Sequence, residues 1–452
     1  MDQLPRQTRP DRAARLIWIK ARLEAGTEPV RNPKKDAPMP ASPLLRACVL
    51  PAAMTMLLLC PAVAMAVDPP AAPAPAPDQA GPWQLEWNAR LRQENVDDDA
   101  FTRDASATTL RLRAGLRLHW ADGFSALIEG EGIADAGDRY NSGANGKTTF
   151  PAITDPEGVA LNQAFIAWKD MRADATLGRQ RLQFDNQRWI GNSGWRQNEQ
   201  TFDALSADWH IAPSLTLRYA WLDRVHRVNG DQALDPLARE RELSTHLFNL
   251  GWTHGAQQLV AYAYLHEDRD VATASTATYG ARWTGTRLHA GNGVGWTLEA
   301  ARQRDYAGNP LAFSHAYWLL EPTYAVHGVS YRAGWEHLGG NGAHALQTPL
   351  ATLHAFNGWA DKFTVTPPGG LEDRYLGAGG NIGGDKRRNW GVAWHDYRAD
   401  TGGRYGSEWD FSLGFPVHGA VTGLVKLADY HADGFARDTR KLWLQLEWAG
   451  SH

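Results

Sequence analysis

The chain has 452 residues, enough for two or three globular domains or one large barrel, and a mean hydropathy of -0.45 that excludes a polytopic helical membrane protein. Its two cysteines, Cys48 and Cys60, both lie in the first 66 residues, which excludes a disulfide framework, a cysteine-based metal site or a cysteine nucleophile in the main body. A net charge of -4 gives no reason to expect nucleic acid as a partner.

The first element is the apolar run 47–66. Arg46 precedes it, Pro51 and Pro61 interrupt it, and Ala64-Met65-Ala66 supplies a small-x-small cleavage site, so a secretory signal is expected rather than a membrane-spanning helix. Residues 1–38 are too long and polar for the leading part of such a signal, and Met39 is the expected start. The expected division is an upstream non-native or disordered extension (1–38), a signal peptide (39–66), a Pro/Ala-rich linker (67–82) and one folded body (83–452). Residues 67–452 carry 36 basic and 45 acidic side chains, and 30 of the basic ones are Arg.

From Trp83 onward the hydrophobic pattern has period two. Trp83, Leu85, Trp87 and Leu91 alternate with Gln84, Glu86, Asn88, Arg90 and Arg92. Leu110, Leu112, Leu116 and Leu118 alternate with Arg111, Arg113, Arg117 and His119, and Leu442, Leu444 and Leu446 alternate with Trp443, Gln445 and Glu447. Successive strand residues face opposite ways, so each segment has one apolar and one charged face. The segments 158–169 and 257–268 are ambiguous, with apolar residues on both faces.

Eighteen segments of this kind can be marked, each about ten residues long, as crossing a bilayer at a tilt requires. Tight turns at Ala121–Gly123, Asp170–Arg172, His254–Ala256 and Pro416–Gly419 alternate with longer loops at 135–157, 185–199, 226–242 and 339–371. Short periplasmic turns and long outer loops predict a transmembrane antiparallel β-barrel of 18 strands, with 16 as the alternative. A soluble propeller would show a 40–45-residue repeat, and none is found. Trp83, Trp120, Trp221 and Trp283, near strand ends, are expected at the membrane interface.

The polar faces carry the functional signal. Arg90, Arg92, Arg111, Arg113, Arg117, Arg179, Arg181 and Arg218 fall on expected inward positions, and Arg188 lies on the same pathway with Glu129, Glu131 and Asp203. Guanidinium groups grip carboxylates with two parallel hydrogen bonds, so an arginine wall predicts passage of anions. The competing structural role is pairing with carboxylates on adjacent strands, such as Glu86, Glu129, Glu131 and Glu299. No GxSxG, HExxH or phosphate-cradling glycine loop occurs. No catalytic, metal or cofactor site is expected, and His226, His337, His344 and His354 read as solvated loop residues.

Two segments resemble the alginate export family of outer-membrane barrels. One is Gly178-Arg179-Gln180-Arg181, continuing through Arg188-Trp189-Ile190-Gly191 and Trp195-Arg196-Gln197 to Thr201-Phe202-Asp203-Ala204. The other runs from Thr348-Pro349-Leu350 through His354-Ala355-Phe356-Asn357-Gly358-Trp359-Ala360-Asp361-Lys362-Phe363 to Leu371-Glu372-Asp373. The resemblance, taken over the whole folded body, implies an eighteen-stranded channel with an arginine-lined constriction that passes a polyuronate. Alginate-secreting members carry a long periplasmic plug loop near the C-terminal end, whereas the matching turn here, Pro416–Gly419, is short. The C-terminus also departs from the usual terminal aromatic, because Ala449-Gly450-Ser451-His452 follow Trp448; an unpaired tail is one reading of those four residues.

The loop 339–371 is too rich in apolar residues for a free solvated segment. Leu353, Phe356, Trp359 and Phe363, with Asp361 and Lys362, are the expected gating residues if it folds into the barrel mouth; packing on the rim is the alternative. The expected function is passive export or diffusion of an anionic, alginate-like polysaccharide. The alternatives are uptake of small anions and a closed surface receptor or adhesin. Expected partners are outer-membrane lipid, the transported anion and the barrel-assembly machinery.

Overall fold

The computed structural model describes residues 81–452 except 121, 290, 291 and 384. The expected extension and signal lie outside the described residues, as does the linker apart from Gly81 and Pro82.

The eighteen strands are β1 (Trp83–Asp98), β2 (Ala105–His119), β3 (Phe124–Asp135), β4 (Gly158–Lys169), β5 (Ala173–Gln180) and β6 (Thr201–Ala212). They continue as β7 (Leu215–His226), β8 (Glu240–His254), β9 (Gln257–His266), β10 (Thr276–His289), β11 (Asn292–Asp305) and β12 (Ser314–Val326). The last six are β13 (Val329–Leu338), β14 (Leu371–Ile382), β15 (Asp385–Arg398), β16 (Arg404–His418), β17 (Val421–Ala432) and β18 (Thr439–Ser451). Each pairs antiparallel with its neighbours in chain order, and β1 also pairs with β18, so the sheet closes without a free edge.

Alternation sets the two faces. In β2, Leu110, Leu112, Leu116 and Leu118 are exposed, whereas Arg111 and Arg113 between them are buried. In a barrel with this pattern the exposed apolar face meets lipid and the charged face meets the lumen. Trp83 and Trp120 lie exposed at the ends of β1 and β2, as an interfacial belt requires, whereas Trp221 and Trp283 sit in the middle of β7 and β10.

The two ambiguous segments have separate explanations. A bulge opposite Glu129/Gly130 buries both Asn162 and Gln163 in β4. The outward positions therefore change from Val159 and Leu161 to Ile166, and no single alternation fits the strand. In β9 the inward face is itself apolar: Val260, Tyr262 and Tyr264 are buried against loop residues.

The expected C-terminal tail is instead part of β18. Ser451 pairs with Glu86 and Gly450 with Trp87, and the His452 amide donates to the Leu85 carbonyl at 2.9 Å. Gly450 permits this, because a Cβ there would lie 2.6 Å from the Trp87 ring. The expected turn Pro416–Gly419 is mostly strand, since β16 runs to His418 and bulges at Pro416/His418.

Candidate functional site: a bore crossed by two loops

The loops 181–200, between β5 and β6, and 339–370, between β13 and β14, leave the long-loop end of the barrel and turn inward. Leu182, Phe184, Trp189, Ile190 and Trp195 from the first share one buried cluster with Leu346, Leu350, Ala360 and Phe363 from the second. The same cluster contains the inward residues Leu222, Leu247, Tyr262, Tyr317, Tyr397, Tyr430 and Trp443. Loop 181–200 reaches opposite walls. Its Trp189 donates Nε1–H to Glu299 on β11 at 2.8 Å and packs on Tyr317 of β12; its Trp195 packs on Trp443 of β18. The loop therefore crosses the bore.

The two loops are tied to each other by backbone. The Gly191 amide donates to the Leu350 carbonyl at 2.9 Å, and the Thr352 amide to the Gln187 carbonyl at 3.1 Å. The Gln200 side chain donates to the Gly191 and Leu350 carbonyls, at 2.8 and 2.9 Å. These partners satisfy polar backbone groups that burial would otherwise leave unpaired.

On the β1–β2 wall, four arginines grip the backbone of loop 181–200. Arg90 Nη1 donates to the Gly194 carbonyl (2.9 Å), Arg92 Nη2 to that of Trp195 (2.6 Å), and Arg113 Nη2 and Arg111 Nη1 to that of Gln197 (3.1 and 3.4 Å). The Arg92 guanidinium also lies 4.1 Å from the centre of the Trp195 ring. Carboxylates complete the cluster. Glu447 on β18 faces Arg90 and Arg111 at 3.2 and 3.5 Å, and Arg113 pairs with Glu131 and, at 3.2 Å, with Glu199. Arg181 pairs with Glu199 and, at 2.7 Å, with Glu129. Burial pushes the Glu199 carboxyl up, but the charges of Arg113 and Arg181 outweigh it and hold it down at about 2. Two donors remain without a hydrogen-bond partner, Arg92 Nη1 and Arg111 Nε. Arg92 Nη1 lies 3.7 Å from Asp155 Oδ2, beyond hydrogen-bond reach.

The second loop is held at a separate node. His354 stacks on Trp195 with centroids 4.7 Å apart. Burial pushes its imidazole well below the usual range, so the ring is neutral. Lys426 Nζ can only donate, so His354 Nε2 accepts from it at 2.7 Å, and Nδ1–H donates to Asp361 at 2.7 Å. Asp361 also takes Arg196 at 3.0 Å and Lys441 at 2.7 Å; burial pushes its carboxyl up, but His354, Lys441 and Arg196 together hold it well below the usual range. Trp359 packs with its ring centre 3.7 Å from Lys426 Nζ.

Of the other expected gating residues, Phe363 sits among Tyr397, Tyr405, Tyr430 and Phe435, Phe356 lies under Arg188, and Lys362 pairs with Asp98 at 2.7 Å. Leu353 is half-buried in a short helical turn. Arg188 is itself a loop residue, donating to Glu336 at 2.8 Å and Asn357 at 3.0 Å. Arg117 pairs with Glu86 at 2.5 Å, away from both loops, and Arg218 pairs with Asp208 at 2.9 Å.

Arg179 and Asp203 are corrections. Arg179 shares its face of β5 with Leu177, which is 62% exposed, while the next residue, Gln180, is buried. Asp203 lies between the buried Phe202 and Ala204 and so points away from them. The two meet at 2.9 Å on the outer face, with His226 also 2.9 Å from Asp203. The sequence pattern puts both on the lumen side, whereas the alternation observed in β5 and β6 places the pair outside. His354 is likewise a buried partner of Asp361 rather than a solvated loop residue. Glu199, Lys426 and Lys441 carry no signal in the sequence and Arg196 appears there only within the family-like segment, because their roles depend on loops arriving from distant segments.

A closed antiparallel barrel with an apolar exterior, a charged interior and infolded loops defines a channel of the bacterial outer membrane. The family model described as alginate export matches residues 82–336, more than half of the chain, and the chain belongs to that family. The match includes the segment around Arg179–Ala204 and ends before the segment 348–373, so it does not extend over the whole folded body. A comparison with curated proteins found no significant match. Among solved structures, OpdK of Pseudomonas aeruginosa, determined with vanillate, is 13% identical with a TM-score of 0.61, over 82% of this chain and 99% of that one. OccAB1 of Acinetobacter baumannii is 11% identical with a TM-score of 0.64, over 82% and 96%. At such identities the likeness shows the fold.

Proposed function

We propose that the barrel is a solute-restricted pore admitting small carboxylate-bearing molecules, with the arginine cluster of β1 and β2 as its selective element. The observation that carries this reading is that Arg90, Arg92, Arg111 and Arg113, besides their side-chain partners, each spend a donor on a neutral backbone carbonyl of loop 181–200. A carboxylate makes charge-assisted hydrogen bonds roughly twice as strong as neutral ones, so an entering anion competes with the loop for the same donors. Arg92 Nη1, 3.7 Å from Asp155, and Arg111 Nε make no hydrogen bond and give it further donors. Carboxylates such as Glu447 of the wall and Glu199 of the loop lower the cost of burying the arginines.

Size favours small solutes over a polyuronate, because both loops cross the bore and bond to each other within it. The vanillate bound by OpdK is a carboxylate of that size. The test is current through single channels in a planar bilayer. Vanillate should reduce the current, and the double variant Arg92→Gln/Arg111→Gln should require at least tenfold more of it, corresponding to loss of charged hydrogen bonds worth about 1.5–3 kcal/mol each. Polymannuronate should leave the current unchanged. Block by the polymer at a lower carboxylate concentration than vanillate would favour polysaccharide passage. Cation selectivity with no response to either would overturn the reading.

A further inference from the structure

The loop 339–370 has a narrow neck on the outer rim of the barrel, and chemistry gathers there. His337 is next to last in β13, Glu372 is second in β14, and the two are register partners across the base of the loop. Asp400 joins them from the connection between β15 and β16. The neck is tight because Gly340 and Gly370 cross. Gly370 has φ +76°, and a Cβ on it would lie 2.6 Å from the Asp400 Cβ and 2.7 Å from the Gly340 nitrogen. The Thr401 amide also donates to the Gly369 carbonyl at 3.0 Å.

We propose that His337, Glu372 and Asp400 form a binding site for a divalent cation of the zinc class, which staples the neck of the infolded loop. Each side chain is positioned by one contact that leaves one ligand atom free. The His337 ring stacks on Trp318, with centroids 5.3 Å apart and planes 9° from parallel. Glu372 Oε2 accepts from Arg374 at 2.6 Å, leaving Oε1, and Asp400 Oδ2 accepts from the Gly340 amide at 3.0 Å, leaving Oδ1. The three free atoms lie within 4.8 Å of one another.

His337 Nδ1 is the independent indication of a ligand. It is buried and has no hydrogen-bond partner, and it faces Glu372 Oε1 at 4.0 Å and Asp400 Oδ1 at 3.9 Å. Those distances are too long for hydrogen bonds and short enough for a shared ion to bridge after small side-chain movements. One imidazole with two carboxylates suits zinc better than calcium or magnesium, which take oxygen ligands. Three protein ligands leave a fourth position for water. Because the ligands come from both ends of the loop and from the adjacent connection, the ion would hold three segments together. The site does not depend on what the barrel passes.

The test uses the full barrel, without a histidine tag, in detergent containing excess Mg²⁺. Titration with ZnCl₂ against a chromogenic chelator should show one equivalent bound. His337→Phe, Glu372→Gln and Asp400→Asn should each weaken it at least tenfold; the first keeps a ring on Trp318, and the others keep the second oxygen as an acceptor. Zn²⁺ should also slow amide exchange at 339–340 and 369–371 in the wild type and not in the variants. Equal binding by wild type and all three variants would overturn the proposal, because the His315–His344 pair, 2.8 Å apart, is intact in each. Failure of Zn²⁺ to bind in the presence of the excess Mg²⁺ would overturn the assignment as well.

Discussion

Glu199 shows how a single buried charge organises the bore. Its carboxylate joins Arg113 of the wall to Arg181 of the loop and accepts from Asn162 at 2.6 Å and Asn192 at 2.8 Å. Glu199→Gln keeps the shape and removes the charge. Arg113 and Arg181 retain Glu131 and Glu129, so the expected loss is about 2 kcal/mol, below the ~3–5 kcal/mol of a wholly broken buried pair. The pH dependence has a definite sign. A carboxyl held below its usual value of about 4.3 contributes fully above that pH. The contribution disappears as pH falls through the folded value of about 2. Unfolding of wild type and variant in detergent should therefore differ by a constant amount above about pH 5, and the difference should shrink toward pH 2. A difference that grows on acidification would contradict this account.

At the scale of elements, the infolded loop 339–370 fills space that the strands enclose. Deleting 345–365 removes Leu346, Leu350, Ala360 and Phe363 from the shared cluster, along with the Asp361 node. Single-channel conductance should rise severalfold, and unchanged conductance would show that the loop does not limit the pore. The sequence made much of this organisation readable, because alternation such as Leu110-Arg111-Leu112-Arg113 assigns a face to each residue without further information. The density of apolar residues in 345–365 also signalled a buried loop. Other features needed the third dimension. The β4 bulge shifts alternation in mid-strand, and the inward Tyr262 and Tyr264 of β9 look misplaced until the loop against them is seen. The partners of Asp361 come from residues 196, 354 and 441, which no local pattern connects.

For the whole molecule, stability depends on the outer face remaining apolar. Leu112, in the middle of β2 and 54% exposed, faces lipid. Leu112→Arg should destabilise the barrel by about 2–4 kcal/mol in a bilayer, the cost of a cation near the midplane, as measured by denaturant unfolding in lipid vesicles. The closure of the barrel also bears on its assembly. Asn88 on β1 donates to Glu447 on β18 at 2.8 Å, across 359 positions of sequence. Contacts between such distant positions are slow to form, because the intervening chain must first be ordered. Arg90 and Arg111 share that Glu447, so their electrostatic environment is complete only when the last strand joins the first. The arginine cluster, and with it the selectivity proposed for it, is thus a late product of folding, and a species stalled before the seam closes would hold most of its strands while lacking the finished cluster.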